Sequence, residues 1–296
     1  MATVAVIAAG AMGSAVGRRL VQSGCTVLTN LEGRSEASRR RAADSGMKDA
    51  PLLQIANEAS YVLSILPPSN AFSFAEKFLR ESKAAVNRAS VEPLVFVDCN
   101  AVNPATVKRI AALFAQSPAI SFVDSGIIGG PPKDAYNPTF YASADDSKVL
   151  DSFGELSQHG LKISLMKDGG GVGDASALKM SYAGMTKGTT ALFTTMILAA
   201  HASSPATAEA LLHELGESQP EMLRRITRSV PSMVPKAYRW VGEMMEISSF
   251  VGAGEGSIYE GIAKLYERIE ESLNGDQEDI QTLEKFIEEA KKKVDK

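Results

Sequence analysis

The sequence predicts an α/β fold: a doubly wound, mostly parallel sheet with helices on both faces, followed by an all-α C-terminal domain. Three observations carry this reading. Short β-branched runs alternate with helical patterns through the first half of the chain. A glycine-containing turn separates the first run from the first helical stretch. Beyond Gly169–Gly171 the strand pattern stops and helical periodicity takes over. Strands alternating with helices of this length form βαβ units and hence a parallel sheet.

The runs are Thr3–Ala8, Thr26–Thr29, Tyr61–Leu66, Leu94–Asp98, Ile120–Asp124, Thr139–Ala142 and Lys162–Met166. Amphipathic stretches such as Gly13–Ser23, Ser35–Ser45 and Ala71–Arg80 supply helices between them. From Gly173 the helical pattern is broken at Ser203–Pro205, Gln219–Pro220, Pro231–Pro235, Gly252–Gly256 and Asn274–Gly275. The last segment, Gln277–Lys296, sets Ile280, Leu283, Phe286, Ile287 and Ala290 at helical spacing. Its Lys291–Lys293 run suits a helix C-terminus, where cations complement the dipole. The change of character near residue 170 sets the domain boundary, giving a dinucleotide-type domain at 1–168 and a helical domain at 169–296.

Composition excludes several function classes. Of the 296 residues, 45% are hydrophobic and 22% charged, which is the globular range. Lys and Arg number 31 against 35 Asp and Glu, a net charge of -4, so no basic excess points to a nucleic-acid partner. Cys25 and Cys99 provide neither a disulfide framework nor zinc spacing, and a reduced, cytoplasmic setting is expected. The apolar start lacks the basic residues of a secretory signal, and Thr189–Ala200 falls short of the ~20 residues that span a bilayer, so no membrane partner is expected. His159, His201 and His213 lack metal-ligand spacing, and no metal is expected.

The turn after the first run carries the first chemistry. Val4–Ile7 reads as a buried strand, and Gly10-Ala11-Met12-Gly13 leads into a helix. The Rossmann fingerprint G-x-G-x-x-G falls here on Ala8, Gly10 and Gly13. Its second glycine lets the backbone approach a pyrophosphate, and its third lets the helix pack against the strand. Phosphate then sits on the free amides of the helix N-terminus. Ala8 departs from the fingerprint, and a methyl is accommodated if φ stays negative. After the second run, where a site for NAD places Asp or Glu, the segment reads Asn30-Leu31-Glu32-Gly33-Arg34-Ser35. Arg34 and Ser35 suit a 2′-phosphate through charge-assisted bonds, which favours NADP (NADPH) over NAD. Glu32 is the opposing signal, able to hold a ribose hydroxyl or to remain solvated. Arg39-Arg40-Arg41 reads as a solvated helix face, with at most one member reaching the phosphate.

Together these segments resemble the β-hydroxyacid dehydrogenase superfamily, which includes 6-phosphogluconate dehydrogenase and the imine reductases. Ile7–Gly13 resembles its cofactor loop; Leu66-Pro67-Pro68, its strand-end segment above the cofactor; Asp98-Cys99-Asn100 with Pro104, its turn near the nicotinamide. Asp124-Ser125-Gly126-Ile127-Ile128-Gly129-Gly130 is similar to its substrate loop, with Ile128 where the family has Ser. Gly173–Lys179 is similar to the motif that opens the long interdomain helix and carries the catalytic lysine. Ala177–Met180, Lys187-Gly188 and Arg239–Met244 are closest to a branch with a phosphogluconate dehydrogenase-type C-terminal domain. In place of the family's polar pair after the lysine stand Tyr182 and Ala183.

The resemblance implies an NADP-dependent oxidoreductase that moves hydride between nicotinamide and a small carbonyl or hydroxy compound. It implies that Lys179 is the general acid/base, with Tyr182 as a second donor. Lys179, Tyr182, Ala183 and Thr186 share one helix face, while Lys187 lies about 80° round and points to a flank. Gly10, Ala11, Met12, Gly13, Arg34, Ser35, Leu66, Pro67 and Asn100 are the expected cofactor residues. Ser125, Gly126, Ile128, Gly129, Gly130, Ala183, Trp240 and Met244 are the expected substrate residues, with Gly129-Gly130 offering amides as an anion nest. Ile127, Ile128, Pro131 and Pro132 make this loop apolar, which suggests a substrate less polar than a sugar phosphate. Imine reduction is the alternative chemistry, and a non-catalytic NADP-binding sensor or scaffold the alternative class. A homodimer through the helical domain is also implied.

Overall fold

The computed structural model describes residues 2–83 and 93–294. The chain divides into two compact units, Met1–Met180 and Ser181–Lys296.

The first unit holds an eight-stranded sheet: β1 (Thr3–Ile7), β2 (Thr26–Thr29), β3 (Lys48–Asp49), β4 (Tyr61–Ser64), β5 (Leu94–Asp98), β6 (Ile120–Ile128), β7 (Thr139–Ser143) and β8 (Lys162–Leu165). Their spatial order is β3-β2-β1-β4-β5-β6-β7-β8. Every pairing is parallel except β6 with β7. The sequence expectation of a mostly parallel, doubly wound sheet holds.

A parallel sheet must be covered on both faces, and alternate strand residues here feed two separate cores. Val4 and Val6 of β1 point into one core, with Val16 and Leu20 of α1 (Ala11–Gln22), Ala42 of α2 (Glu36–Asp44), and Leu150 and Phe153 of α6 (Ser147–Gly154). Ala5 and Ile7 point into the other, with Ile55 of α3 (Leu52–Glu58), Phe78 of α4 (Pro68–Ser82) and Ile110 of α5 (Pro104–Phe114). Phe96 of β5 anchors that second core, 4.6 Å centroid to centroid from Phe114 and 5.5 Å from Phe78.

Two expectations are corrected. The segment Asp124–Ile128, read as loop, continues β6, because β7 pairs with it from Asp124↔Ser143 to Ile128↔Thr139. That partner lies across a turn, beyond the reach of local pattern. Pro231 does not break a helix either. Helix α9 (Pro220–Met233) runs through it, since Leu223, Ile226, Val230 and Met233 form a buried stripe while Pro231 lies on the exposed side. A 3-10 turn at Val234–Lys236 follows.

Helix α7 (Asp174–Ser203) is the longest element, and the division between the units falls inside it. The second unit continues with α8 (Pro205–Ser218), α9, α10 (Ala237–Val251), α11 (Gly256–Asn274) and α12 (Glu278–Val294). α10 packs on α11, with Trp240 edge-on to Tyr266 at 5.3 Å. α12 packs on α9 and α8 through the apolar stripe that the sequence sets at helical spacing. Among the described residues no helix is long and apolar enough to cross a membrane.

Within the first unit, α7 comes so close to β6 that a Cβ at Gly126 would lie 2.8 Å from the Ala175 carbonyl oxygen and 3.1 Å from Lys179 Cβ. Backbone cannot yield as a flexible side chain can. Gly126→Ala is expected to destabilise the chain by about 1–3 kcal/mol, the range for overpacking, in urea denaturation. An unchanged midpoint would contradict this close approach.

Candidate functional site

The glycine turn after β1 is shaped as an anion cradle. Gly10 caps α1 with extended backbone and no side-chain hydrogen bond, and no acid stands in the first helical turn. The leading amides of α1 are thus left for an external acceptor. A Cβ at Gly10 would meet nothing within 4 Å, so open space lies in front of the turn. A Cβ at Gly13 would fall against the Ala8 carbonyl, so glycine is required for α1 to sit on the turn. Ala8 donates its N–H to Ile65 O at 3.3 Å and accepts from Gly10 N at 2.9 Å. Arg41 Nε donates to Ala9 O at 3.0 Å, fastening the turn from the side of α2. These features fit a dinucleotide diphosphate over Gly10, Ala11, Met12 and Gly13.

A cavity of about 320 Å³ opens beyond β1 and β2. Its walls include Ile7, Asn30, Glu32, Arg34 and Leu66, together with Asn70, Ser73 and Lys77 of α4. Arg34, the expected 2′-phosphate ligand, is among the residues lining this cavity. Ser35 is the N-cap of α2 and accepts from Ser38 N at 3.3 Å. Of the triple Arg, two members hold main-chain carbonyls: Arg39 reaches Leu31 O at 2.7 Å, and Arg41 reaches Ala9 O. Lys77 and Glu32 form an ion pair across the cavity at 3.0 Å. No sequence signal joins these two residues.

At the C-terminal edge of the sheet, Ser64, Asp98, Asp124 and Ser143 stand in register across β4 to β7. Asn100 is almost fully buried and tied into this row. Its Nδ2 donates to Ser64 Oγ at 3.1 Å, its Oδ1 accepts from Leu66 N at 2.6 Å, and its own N–H goes to Asp98 Oδ1 at 2.9 Å. Asn100 thus joins the turns after β4 and β5. Burial pushes the Asp98 carboxyl up to about 7, and the nearby Asp124 adds to the rise. Asp98 Oδ2 has no hydrogen-bond partner among the described residues. Burial, and then Asp98, push the Cys99 thiol up as well.

Asp124, the end of the expected strand Ile120–Asp124 and the start of the expected substrate loop, anchors α7. Its carboxylate accepts from Gly173 N at 2.9 Å, Ser176 N at 3.0 Å, Ser176 Oγ at 2.7 Å and Ser143 Oγ at 3.3 Å. One turn further along α7, Lys179 Nζ donates to Ile127 O at 2.6 Å. Ser125 and Gly126 are buried strand residues beside this contact. Ile128 is half-buried at the end of β6. Past it, Gly129 adopts φ 131°, and Gly130 N donates to Tyr136 Oη at 3.1 Å. The Gly130 amide is therefore already directed at a phenol oxygen within the loop.

In the second unit, Tyr182 is 46% exposed and Ala183 is buried. Trp240 and Met244 lie in that unit's interior. Lys187, round the helix from the Lys179 face, is half-buried: it pairs with Glu243 and stands 5.0 Å from the Trp240 ring centroid. Burial pushes its amine down, with Glu243 opposing. Tyr266 Oη donates to Lys187 O at 2.7 Å. Among the described residues no cluster of His, Cys, Asp and Glu could hold a metal ion.

Residues 3–160 match the family described as the NAD binding domain of 6-phosphogluconate dehydrogenase, and residues 202–269 match a domain of unknown function (DUF1932). The first match spans more than half the chain, which belongs to that family and is with it an NAD(P)-dependent oxidoreductase. No curated protein matches the sequence. Among solved structures, a conserved protein of unknown function, described as structurally similar to 3-hydroxyacid dehydrogenases, is 25% identical over 91% of this chain and 97% of its own, with a TM-score of 0.65. The 3-hydroxyisobutyrate dehydrogenase of Mycobacterium tuberculosis, solved with L-serine, is 18% identical over 90% of this chain and 93% of its own, with a TM-score of 0.61. The imine reductase of Myxococcus stipitatus in complex with NADP+ is 18% identical over 97% of this chain and 100% of its own, with a TM-score of 0.55. These proteins share the fold.

Asp98 gives a pH dependence of definite sign. The folded chain holds its proton up to about pH 7, whereas an unfolded Asp releases it near pH ~4. Between those values the unfolded state binds fewer protons, so stability falls as pH rises through the window. Asp98→Asn keeps an acceptor for Asn100 N–H and removes the titration. Its stability relative to the parent chain is expected to rise between pH 4 and pH 8, on the order of a few kcal/mol, in denaturant melts. Parallel pH profiles would mean that Asp98 is ionised in the fold.

Proposed function

We propose that this member of the 6-phosphogluconate dehydrogenase NAD-binding family is an NADP-dependent oxidoreductase. It transfers hydride between the nicotinamide and a small carbonyl or hydroxy compound, with Lys179 as general acid/base. One observation carries this reading: the Lys179 ammonium is held on the Ile127 carbonyl at 2.6 Å, at the end of β6. β1, β4, β5 and β6 run parallel, so the diphosphate turn after β1 and the end of β6 share one sheet edge. In open α/β sheets, ligands bind at that edge.

The cofactor supplies hydride acceptance or donation at its nicotinamide ring. The chain's own residues handle the proton and the geometry. Gly10 to Gly13 bind the diphosphate through main-chain amides, and Arg34 takes the 2′-phosphate. Leu66 and Pro67 border the turn that Asn100 fixes by accepting the Leu66 N–H. Lys179, oriented by Ile127, gives a proton to the carbonyl oxygen in reduction and takes it back in oxidation. Ile128, Gly129 and Gly130 contribute the substrate side of the β6 end, and their apolar character favours a substrate less polar than a sugar phosphate. Tyr182, exposed one turn beyond Lys179, supports a second reading in which a phenol protonates an imine nitrogen. A homodimer accords with the exposed apolar series Tyr182, Met185, Leu192 and Met196 on α7.

The test follows NADPH absorbance with a panel of ketones, semialdehydes and cyclic imines. Lys179→Ala is expected to lower turnover by about 10²–10⁴-fold, the usual contribution of general acid–base catalysis, while leaving NADPH binding by fluorescence unchanged. Activity that survives the substitution would remove Lys179 from the chemistry. Tight NADPH binding without turnover on any substrate would favour a sensor.

A further inference from the structure

We infer that the ion pair between Lys77 and Glu32 selects the phosphorylated dinucleotide. In this reading Lys77 is a second cation for the 2′-phosphate, and it withdraws from the ribose the one carboxylate that would favour NAD. The inference rests on the proposed dinucleotide site and deepens it.

The cavity beyond β2 has walls from two elements distant in sequence. The loop after β2 brings Glu32 and Arg34, and α4 brings Lys77. Arg34 and Lys77 are the cations lining it. The neighbouring guanidiniums are engaged elsewhere: Arg39 holds Leu31 O and Arg34 O, and Arg41 holds Ala9 O. A 2′-phosphate, with a charge of about -1.5 to -2 near neutral pH, therefore meets lining cations from two segments distant in sequence, the loop after β2 and α4. Without the ligand, Lys77 Nζ pairs with Glu32 Oε2 at 3.0 Å and stands 3.8 Å from Glu81 Oε1.

The pair with Glu32 is exposed, at 39% for Lys77 and 71% for Glu32. Such a pair contributes little and is screened by salt, so a phosphate of higher charge displaces the carboxylate readily. Glu81 lies one turn along α4 and keeps the lysine stem near the cavity when Glu32 leaves. An unphosphorylated ribose offers only neutral hydroxyls. Glu32 reaches them only by leaving Lys77, so even a weak pair offsets part of the usual advantage of an acid at this place. Lys77 thus acts twice, as a phosphate donor and as a restraint on Glu32.

The experiment measures dissociation constants for NADPH and NADH by fluorescence. It also uses 2′,5′-ADP and 5′-AMP by calorimetry, to isolate the adenosine end from the rest of the site. Lys77→Ala is expected to weaken NADPH and 2′,5′-ADP about tenfold or more, the loss of one charge-assisted contact. NADH and 5′-AMP should hold or tighten. Lys77→Arg should retain the preference, and Glu32→Gln should tighten NADPH several-fold while leaving NADH no stronger. A Lys77→Ala variant, folded by circular dichroism, whose NADPH to NADH ratio stays within about twofold of the parent's would overturn the inference. So would a parent chain that prefers NADH. Binding of none of the four probes would instead sink the dinucleotide site itself.

Discussion

Asp124 is fully buried at the point where β6 leaves its parallel neighbour, and it spends its carboxylate on the first turn of α7. Taking a carboxylate out of water costs several kcal/mol when nothing compensates. Here the amides of Gly173 and Ser176, the hydroxyls of Ser143 and Ser176, and the positive end of a long helix compensate together. Burial still outweighs these bonds and holds the group above the usual carboxylate range. Moving the helix would orphan its leading amides and strand a buried acid at once. That double penalty makes the start of α7 a fixed reference. Lys179 is placed against Ile127 from this reference, and Gly126 has no side chain because the helix stands so close.

The neighbouring acid follows from the same geometry. Asp98 pairs in register with Asp124 on the adjacent strand, in surroundings where two charges cannot both be held cheaply. Asp124 has the fuller set of donors. Asp98 has one oxygen matched by Asn100 N–H and the other unmatched among the described residues, and it keeps its proton towards neutral pH. Through Asn100 the same acid shapes the turn at Leu66. The two strand ends beside the dinucleotide turn are thereby one network. Cys99, raised by burial and by Asp98, is an inert thiol within it.

What the sequence makes legible here is local. Gly10 and Gly13 can be read because a strand, a turn and a helix follow one another within a few residues. The strand at Lys48–Asp49 cannot, because it is two residues long, exposed and charged. The Asp124–Ile128 stretch looks like a loop until β7 returns to pair with it. Asn100 shows the same limit: a buried amide at a strand end reads equally as ligand or as tie, and its three bonds within the fold, which the sequence does not reveal, make it a tie whatever else it touches. Lys179 stands out through resemblance, since a lysine on a helix is ordinary, and Asp124, which fixes its position, lies 52 residues from Ser176. Helical periodicity groups Trp240 and Met244 on one face, but does not say whether that face lines a site or fills an interior. In the second unit both are buried, with the Trp240 ring 5.0 Å from Lys187, the partner of Glu243.

The arginines of α2 show why a run of charge is a poor guide to an anion site. A guanidinium offers five donors in a rigid fork, and a turn near a helix end leaves carbonyls in need of donors. Arg39 and Arg41 answer that need at Leu31 and Ala9. The second of these contacts matters for the proposed diphosphate site although it lies behind it. By holding the Ala9 carbonyl, Arg41 fixes the backbone immediately before Gly10, and so the direction of the amides that open α1. The proposed diphosphate cradle is then made of main-chain dipoles, with its cation one step behind. Such a cradle attracts an anion through local orientation, not through bulk positive charge, which is consistent with a chain whose net charge is -4.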